Sequence, residues 1–183
     1  MFDILGILYA VAQLLVPSLP PAPLSSTALL SNDKYLGQWY FIGVASLDAE
    51  DIEVYQGIDN CVTDLKKSAD DSLVMTAAIH QGGQCQKMSW TYKVDPSIDP
   101  LMEEADNLGL MFDGKWIKCD SCLLVLKIHP DDAFIRMMLF ARNQDSRAEL
   151  VKKFKSKMES YWIFEHFMIP PQTKEFCKLE ELP

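Results

Sequence analysis

The sequence predicts an all-β protein: an eight-stranded antiparallel up-and-down barrel with one C-terminal α-helix packed on the barrel. Its 183 residues are 49% hydrophobic and 23% charged, which is typical of a single globular domain with a sizeable core. From Tyr35 onward, short apolar segments are separated by turn clusters, and the gaps leave no room for crossover helices. Consecutive strands of this kind must pair antiparallel, and seven or eight of them favour a closed barrel.

The strands can be placed in order along the chain. An apolar segment that contains Trp39 begins after Gly37, and Gly82-Gly83 is typical of a two-residue hairpin turn. The last two strands are joined by a turn at residues 129–132. After the first strand, the candidate strands lie within residues 58–65, 73–80, 86–94, 108–117, 123–128 and 134–142.

One strong helix follows the strands. Ser146 and Glu149 form a capping box, in which each side chain bonds to the other residue's free backbone N–H. Apolar residues then recur at helical spacing and form a single stripe, which consists of Leu150, Val151, Phe154, Met158 and Tyr161. Residues 162–168 are predicted to form a final strand or an extended segment against the barrel.

The charge balance excludes one large class of partners. Lys+Arg 17 against Asp+Glu 26 gives a formal net charge of −9. A surface of this sign repels phosphate backbones, so no nucleic-acid partner is expected.

The N-terminus carries an apolar segment, residues 4–16, that is too short to span a bilayer and fits the core of a secretory signal peptide. A proline-rich stretch follows it, and no clear cleavage pattern is present. Two interpretations are open for residues 1–23: a cleaved signal, or a retained apolar anchor to a lipid particle or membrane surface. Either one implies a secreted protein in an oxidising compartment, with residues 24–183 as the folded domain.

The order of these features resembles the lipocalin family over essentially the whole chain after the N-terminal segment. Gly37-Gln38-Trp39 opens the first strand, Arg142 ends the last, and a single helix follows. The resemblance implies that Trp39 closes the barrel base and that Arg142 covers its ring, because a guanidinium can stack on an indole. Within the family, residues 36–42, 85–92 and 134–142 are most similar to the apolipoprotein M group. The α1-acid glycoprotein group and its toxin-binding relatives come next.

Alternation along the strands predicts which side chains face the barrel interior. If Arg142 faces inward, it shares that face with the residues at every second position before it, among them Arg136, Met138 and Phe140. The fourth strand has a similar apolar face, which consists of Met88, Trp90, Tyr92 and Val94. Arg136 is then a buried cation that needs a partner, either a lipid head group or an internal acid such as Asp64.

The resemblance also implies a class of ligand. In the apolipoprotein M group, the positions that match Trp90, Tyr92, Arg136 and Phe140 line a site for sphingosine 1-phosphate. Here Met88 stands in place of a basic residue of that site, and Phe140 in place of an aromatic hydroxyl. This weaker cationic character makes a fatty acid, a retinoid or another lipophile a competing ligand. No cofactor and no metal are expected.

The five cysteines are an odd number. The family resemblance implies a disulfide between Cys85 and Cys177. Cys119 and Cys122 are candidates for a bond across a tight turn, and their surroundings favour neither a redox centre nor a zinc site. Cys61 is similar in placement to the catalytic thiol of lipocalin-type prostaglandin D synthase, although a structural cysteine is the default interpretation.

Together these features predict a secreted, non-enzymatic carrier of a small lipophilic ligand in plasma. The apolar N-terminal segment would associate it with lipoprotein particles such as HDL. A soluble binder of drugs or toxins, similar to α1-acid glycoprotein, is the first alternative. A prostaglandin isomerase that uses Cys61 is the second.

Overall fold

The architecture is that of a computed structural model, which describes residues 26–94, 101–103, 108–113, 119, 121–128, 134–160 and 166–182. The strands in this part of the chain are β1 Gly37–Ser46, β2 Ile58–Lys67, β3 Leu73–Gln81, β4 Gln84–Lys93, β5 Leu101–Glu103, β6 Gly109–Asp113, β7 Cys122–Ile128, β8 Phe134–Ala141 and β9 His166–Met168. The helices are α1 Ser26–Leu30, α2 Glu50–Glu53 and α3 Arg147–Ser160, with 3₁₀ turns at Asp33–Tyr35 and Leu179–Glu181. Across these ranges, no helix is both long enough and apolar enough to cross a membrane.

Strands β1 to β8 form a closed antiparallel barrel. Each strand pairs with the next, and β1 closes the ring because its first residues pair with β2 and its later residues pair with β8. The short β9 pairs with the last three residues of β1. The predicted fold, an eight-stranded up-and-down barrel followed by one helix, is confirmed.

Some details differ from the sequence prediction. The pattern does not predict β5, because three residues are too few to show an alternation. The candidate strand at 108–117 is described only as Gly109–Asp113, and the predicted turn at 129–132 and Tyr161 also lie outside the described residues. Helix α3 begins after Ser146 as predicted, but the Glu149 carboxylate pairs with Lys153 along the helix at 2.7 Å and not with Ser146.

The strands bury one apolar layer inside the barrel and a second layer outside it. On β1, the residues of the inner layer are Trp39, Phe41 and Val44. A bulge between Phe41 and Gly43 then shifts the register of β1 against β8. The outer layer joins strands β1, β7 and β8 to the buried stripe of α3, which consists of Leu150, Phe154 and Met158. The predicted apolar stripe of the helix is therefore what holds α3 against the barrel wall.

Gly43 allows the segment after β9 to lie directly on β1. A Cβ atom at this position would fall 2.4 Å from Cδ1 of Ile169 and 3.1 Å from the carbonyl oxygen of Met168. Glycine is therefore favoured here, because a side chain would have to push aside the end of Ile169 and would crowd the backbone of Met168.

The C-terminal segment, residues 169–182, is tied to the outer wall of the barrel at Asp59. The Asp59 carboxylate accepts hydrogen bonds from the Thr173 hydroxyl at 2.6 Å and from the backbone amides of Thr173 and Lys174 at 3.0 and 2.9 Å. Partial burial raises the pKa of Asp59, but these hydrogen bonds and one from Asn60 outweigh it and lower the pKa to about 2. Asp59 is therefore a charged anchor for this segment.

Two disulfides are formed, Cys85–Cys177 and Cys119–Cys122, and Cys61 is a free, buried thiol. Cys85 and Cys177 are separated by 92 residues, so their bond closes one loop that runs from β4 through β8, α3 and β9 to the C-terminal segment. In the loop-entropy view, a loop of this size restricts the unfolded chain by roughly 4–5 kcal/mol.

Candidate ligand-binding site

The base of the barrel is closed by Trp39 and Arg142. The guanidinium carbon of Arg142 lies 3.7 Å from the centre of the Trp39 ring, and the indole N–H donates to the carbonyl of Tyr35 at 2.9 Å. At 2.5 to 2.7 Å, Arg142 donates to the backbone carbonyls of Lys34, Leu36 and Gln38. Gly37 has φ +83°, a left-handed conformation that favours glycine, and it places the chain beside Arg142. The sequence motif at 37–39 and Arg142 thus meet at one end of the barrel.

Beyond this base the barrel contains a cavity of about 350 Å³. This volume lies within the range of roughly 300–1,000 Å³ that is usual for small-molecule sites. Apolar and aromatic side chains form most of its wall, and the charged side chains among its lining residues are Lys127 and Arg136. The cavity is therefore suited to a largely apolar molecule with a small polar group.

All six residues predicted to contact a ligand lie on the wall of this cavity: Met88, Trp90, Tyr92, Arg136, Met138 and Phe140. Their depth differs, because Tyr92 is 3% exposed and Met88 is 45% exposed. The alternation along β4 and β8 is sufficient to place them, since one face of each strand points inward. That these residues bind a ligand stays a prediction.

Arg136 lies on β8, and the described part of the chain engages only part of its guanidinium. Its Nη1 donates to the carbonyl of Asp51 at 3.0 Å, and its guanidinium carbon lies 5.3 Å from the centre of the Tyr55 ring. Its Nε is buried and has no hydrogen-bond partner among the described residues. Buried donors without partners are rare in folded proteins, so this N–H marks a place for an acceptor.

Asp64 is not the internal partner that the sequence leaves open for Arg136. Thr63 lines the cavity, so its neighbour Asp64 points to the outer face of β2. There the Asp64 carboxylate pairs with Lys66 at 2.7 Å.

Lys127 is a second cation in the cavity wall, and the sequence pattern does not predict it. It lies directly opposite Arg136 across β7 and β8, and its Nζ is 3.1 Å from Oε2 of Glu103 on β5. Both partners are buried, with Lys127 8% and Glu103 4% exposed. Alternation offers a signal for Lys127, because it stands two and four positions after the inward-facing Val125 and Leu123.

Further hydroxyl and thiol groups in the cavity wall belong to Tyr55, Cys61 and Thr63. Tyr55 stacks on Phe41 with ring centres 5.5 Å apart, and burial raises the pKa of Tyr55 although the Arg136 charge lowers it. Burial raises the pKa of the Cys61 thiol to about 12, and the Thr63 hydroxyl lies 3.7 Å from its sulfur. At neutral pH both groups are therefore uncharged.

A second hollow, of about 600 Å³, lies outside the barrel between the C-terminal segment and strands β1 to β4. It is larger than the barrel cavity, but its wall mixes lysines and acids such as Lys66, Asp64 and Glu180. A wet surface groove of this kind does not exclude water from an apolar ligand, so the barrel cavity is the better site. Within the described ranges, no three His, Cys, Asp or Glu side chains cluster as metal ligands.

Comparison with known proteins agrees with this architecture. The family model described as the ApoM domain matches residues 26–181. Apolipoprotein M from Mus musculus is 29% identical over 156 residues, which cover 80% of this chain and 77% of that protein. A lipocalin from Rhinella marina is 24% identical over 147 residues, with 78% and 80% of the two chains covered.

A solved structure titled "The Siderocalin Ex-FABP functions through dual ligand specificities" has the same fold. Its TM-score is 0.60 at 14% sequence identity, and the match covers 78% of this chain and 97% of that chain. The family model spans nearly all of the barrel, the helix and the C-terminal segment. The chain belongs to the apolipoprotein M family of lipocalins.

Proposed function

We propose that this protein is a secreted carrier of a small lipophilic ligand with an anionic head group, held in the barrel cavity. The observation that carries the proposal is Arg136, whose buried Nε has no partner among the described residues and lies in a mostly apolar wall. A ligand anion would supply the missing acceptor and a charge-assisted hydrogen bond. Lipids similar to sphingosine 1-phosphate and fatty acids meet this requirement, whereas an uncharged retinoid does not.

The remaining wall residues would hold the apolar part of the ligand. Trp90 and Tyr92 on β4 face Met138 and Phe140 on β8 within the same cavity, and none of the four is charged. Met88 is the most exposed of the predicted contacts, so it would lie where the ligand enters. Burial of an alkyl chain against these side chains supplies the main binding free energy.

The head-group role is tested by an Arg136→Leu variant with two ligands. We expect oleic acid to bind at least about tenfold more weakly, and retinol to bind nearly as before, in tryptophan-fluorescence titrations. Lys152→Leu, which removes the same charge from an exposed position on α3, serves as the matched control. Equal loss of both ligands in Arg136→Leu would contradict the proposal. Mass spectrometry of lipid extracted from the native protein would identify the natural ligand.

We also propose that residues 1–23 stay on the secreted protein and anchor it to plasma lipoprotein particles such as HDL. The support is the apolar segment at 4–16, the absence of a clear cleavage pattern after it, and the family membership. N-terminal sequencing of the secreted protein tests this directly. A processed terminus beyond Pro23 would remove the anchor and favour a soluble drug or toxin binder similar to α1-acid glycoprotein.

Catalysis by Cys61 is the less favoured alternative. The thiolate is the nucleophile in cysteine enzymes, and with a pKa of about 12 the Cys61 thiol is protonated at neutral pH. We therefore expect no prostaglandin isomerase turnover. Turnover that is abolished when the thiol is alkylated would overturn this assignment.

A further inference from the structure

We propose that Glu103 restricts the cavity to ligands whose head group carries a single negative charge, such as a fatty carboxylate, by neutralising Lys127. This inference rests on the proposed function and names the ligand class for the same site. Glu103 is then a specificity-determining residue that holds Lys127, one of the two cations among the described lining residues, away from the ligand.

The positions of three charged residues support this role. Glu103 pairs with Tyr92 across β4 and β5, and directly opposite residues point to the same face, so Glu103 faces inward as Tyr92 does. Its Oε2 lies 3.1 Å from Nζ of Lys127, with both side chains at most 10% exposed. Lys127 in turn stands directly opposite Arg136.

The charges of this cluster define what a ligand must supply. Glu103 cancels Lys127, so the inward-facing ion pair together with Arg136 has one net positive charge. A ligand carboxylate at the unpartnered Nε of Arg136 would neutralise this positive charge and leave the ion pair of Glu103 and Lys127 intact. A phosphate monoester is close to doubly charged above pH 7, so it would leave a buried negative charge or would have to displace Glu103 from Lys127.

The test compares three ligands with the same alkyl chain: oleic acid, oleyl phosphate and the uncharged oleyl alcohol. Delipidated full-length protein is titrated with each at pH about 7.5, where the phosphate is mostly dianionic. We expect the unmodified protein to bind oleate more tightly than oleyl phosphate. Glu103→Gln frees the charge of Lys127, so the ratio of the two affinities should shift toward the phosphate by about tenfold or more.

A double variant, Glu103→Gln with Lys127→Met, is the matched control. It removes both members of the ion pair and leaves the net charge of the cluster unchanged, so it should keep the preference for oleate. Replacing both partners of a buried pair is also better tolerated than removing one, so this variant decides the question if Glu103→Gln alone does not fold.

The outcomes separate this inference from the proposed function. A preference of the unmodified protein for oleyl phosphate, a folded Glu103→Gln with an unchanged ratio, or a double variant that loses its oleate preference would each overturn the role of Glu103. Oleyl alcohol binding as tightly as both anions would instead contradict the anionic head group itself.

Discussion

Arg136 on β8 and Arg142 directly after its end lie on the same inward-facing side, but their environments are opposite. Arg142 stacks on Trp39 and donates to three backbone carbonyls, so its guanidinium is satisfied by the protein. Arg136 keeps a buried Nε, at the wall of a cavity, for which the described part of the chain supplies no partner. The difference indicates that hydrogen-bond saturation, and not residue type or burial, separates a structural cation from one available to a ligand.

The largest effect is expected at the base of the barrel. Trp39→Ala removes a side chain that is 3% exposed, together with the surface on which Arg142 stacks, so the free energy of unfolding should fall by roughly 3–5 kcal/mol. Trp90→Ala is the control of the same residue type, because Trp90 is only partly buried and faces the cavity. Urea unfolding of both variants checks this, and equal losses would contradict the division between base and cavity.

The next effect compares the two arginines directly. Arg142→Leu leaves three carbonyls without their donor and should lower the free energy of unfolding by roughly 2–4 kcal/mol. Arg136→Leu removes one hydrogen bond, to the Asp51 carbonyl, and an Nε donor that has no partner among the described residues, so ligand-free protein should lose only about 1 kcal/mol. Ligand affinity should show the reverse, with the larger loss in Arg136→Leu and the smaller loss in Arg142→Leu. An Arg136→Leu protein as unstable as Arg142→Leu would show that Arg136 is structural too.

The sequence is sufficient to predict which residues lie at the barrel base and most of those that line the cavity. Strand β8 alternates along its length, so placing Arg142 inward also places Arg136, Met138 and Phe140 inward. The same argument works for Trp90 and Tyr92 on β4. These predictions succeed because strand alternation is a local property of the chain.

Other parts of the cavity depend on contacts that a local pattern does not contain. Strand β7 is apolar on both faces, since one face lines the barrel and the other packs against α3, so Lys127 stands out only once the inner face is known. Glu103 lies on a three-residue strand, and its partner Lys127 is 24 residues away. Tyr55 and Asp51 reach Arg136 from the connection between β1 and β2, whose path is set by tertiary structure. The prediction that Asp64 pairs with Arg136 is therefore wrong, because the residues that contact Arg136 are brought to it by tertiary structure.

The smallest effect is expected at Asp59. Like Arg142, it makes several hydrogen bonds within the protein, but it lies on the outer wall of the barrel. Its pKa is lowered to about 2, so its stabilising contribution is present above the usual Asp pKa of 3.8 and is lost as the pH falls from there through about 2. Asp59→Asn should therefore lower the urea midpoint at neutral pH by an amount equivalent to at most about 1 kcal/mol, given solvent screening, and this difference from the unmodified protein should shrink below pH about 4. Asp64→Asn, at a carboxylate whose ion pair is with the exposed Lys66, is the control and should change less. The loss should also be local: amide exchange at Thr173 and Lys174 should accelerate in Asp59→Asn, while oleate affinity is kept because Asp59 lies outside the cavity. A pH-independent difference would contradict the role of the Asp59 charge. A parallel loss of oleate binding would show that the outer-wall anchor and the cavity are not independent.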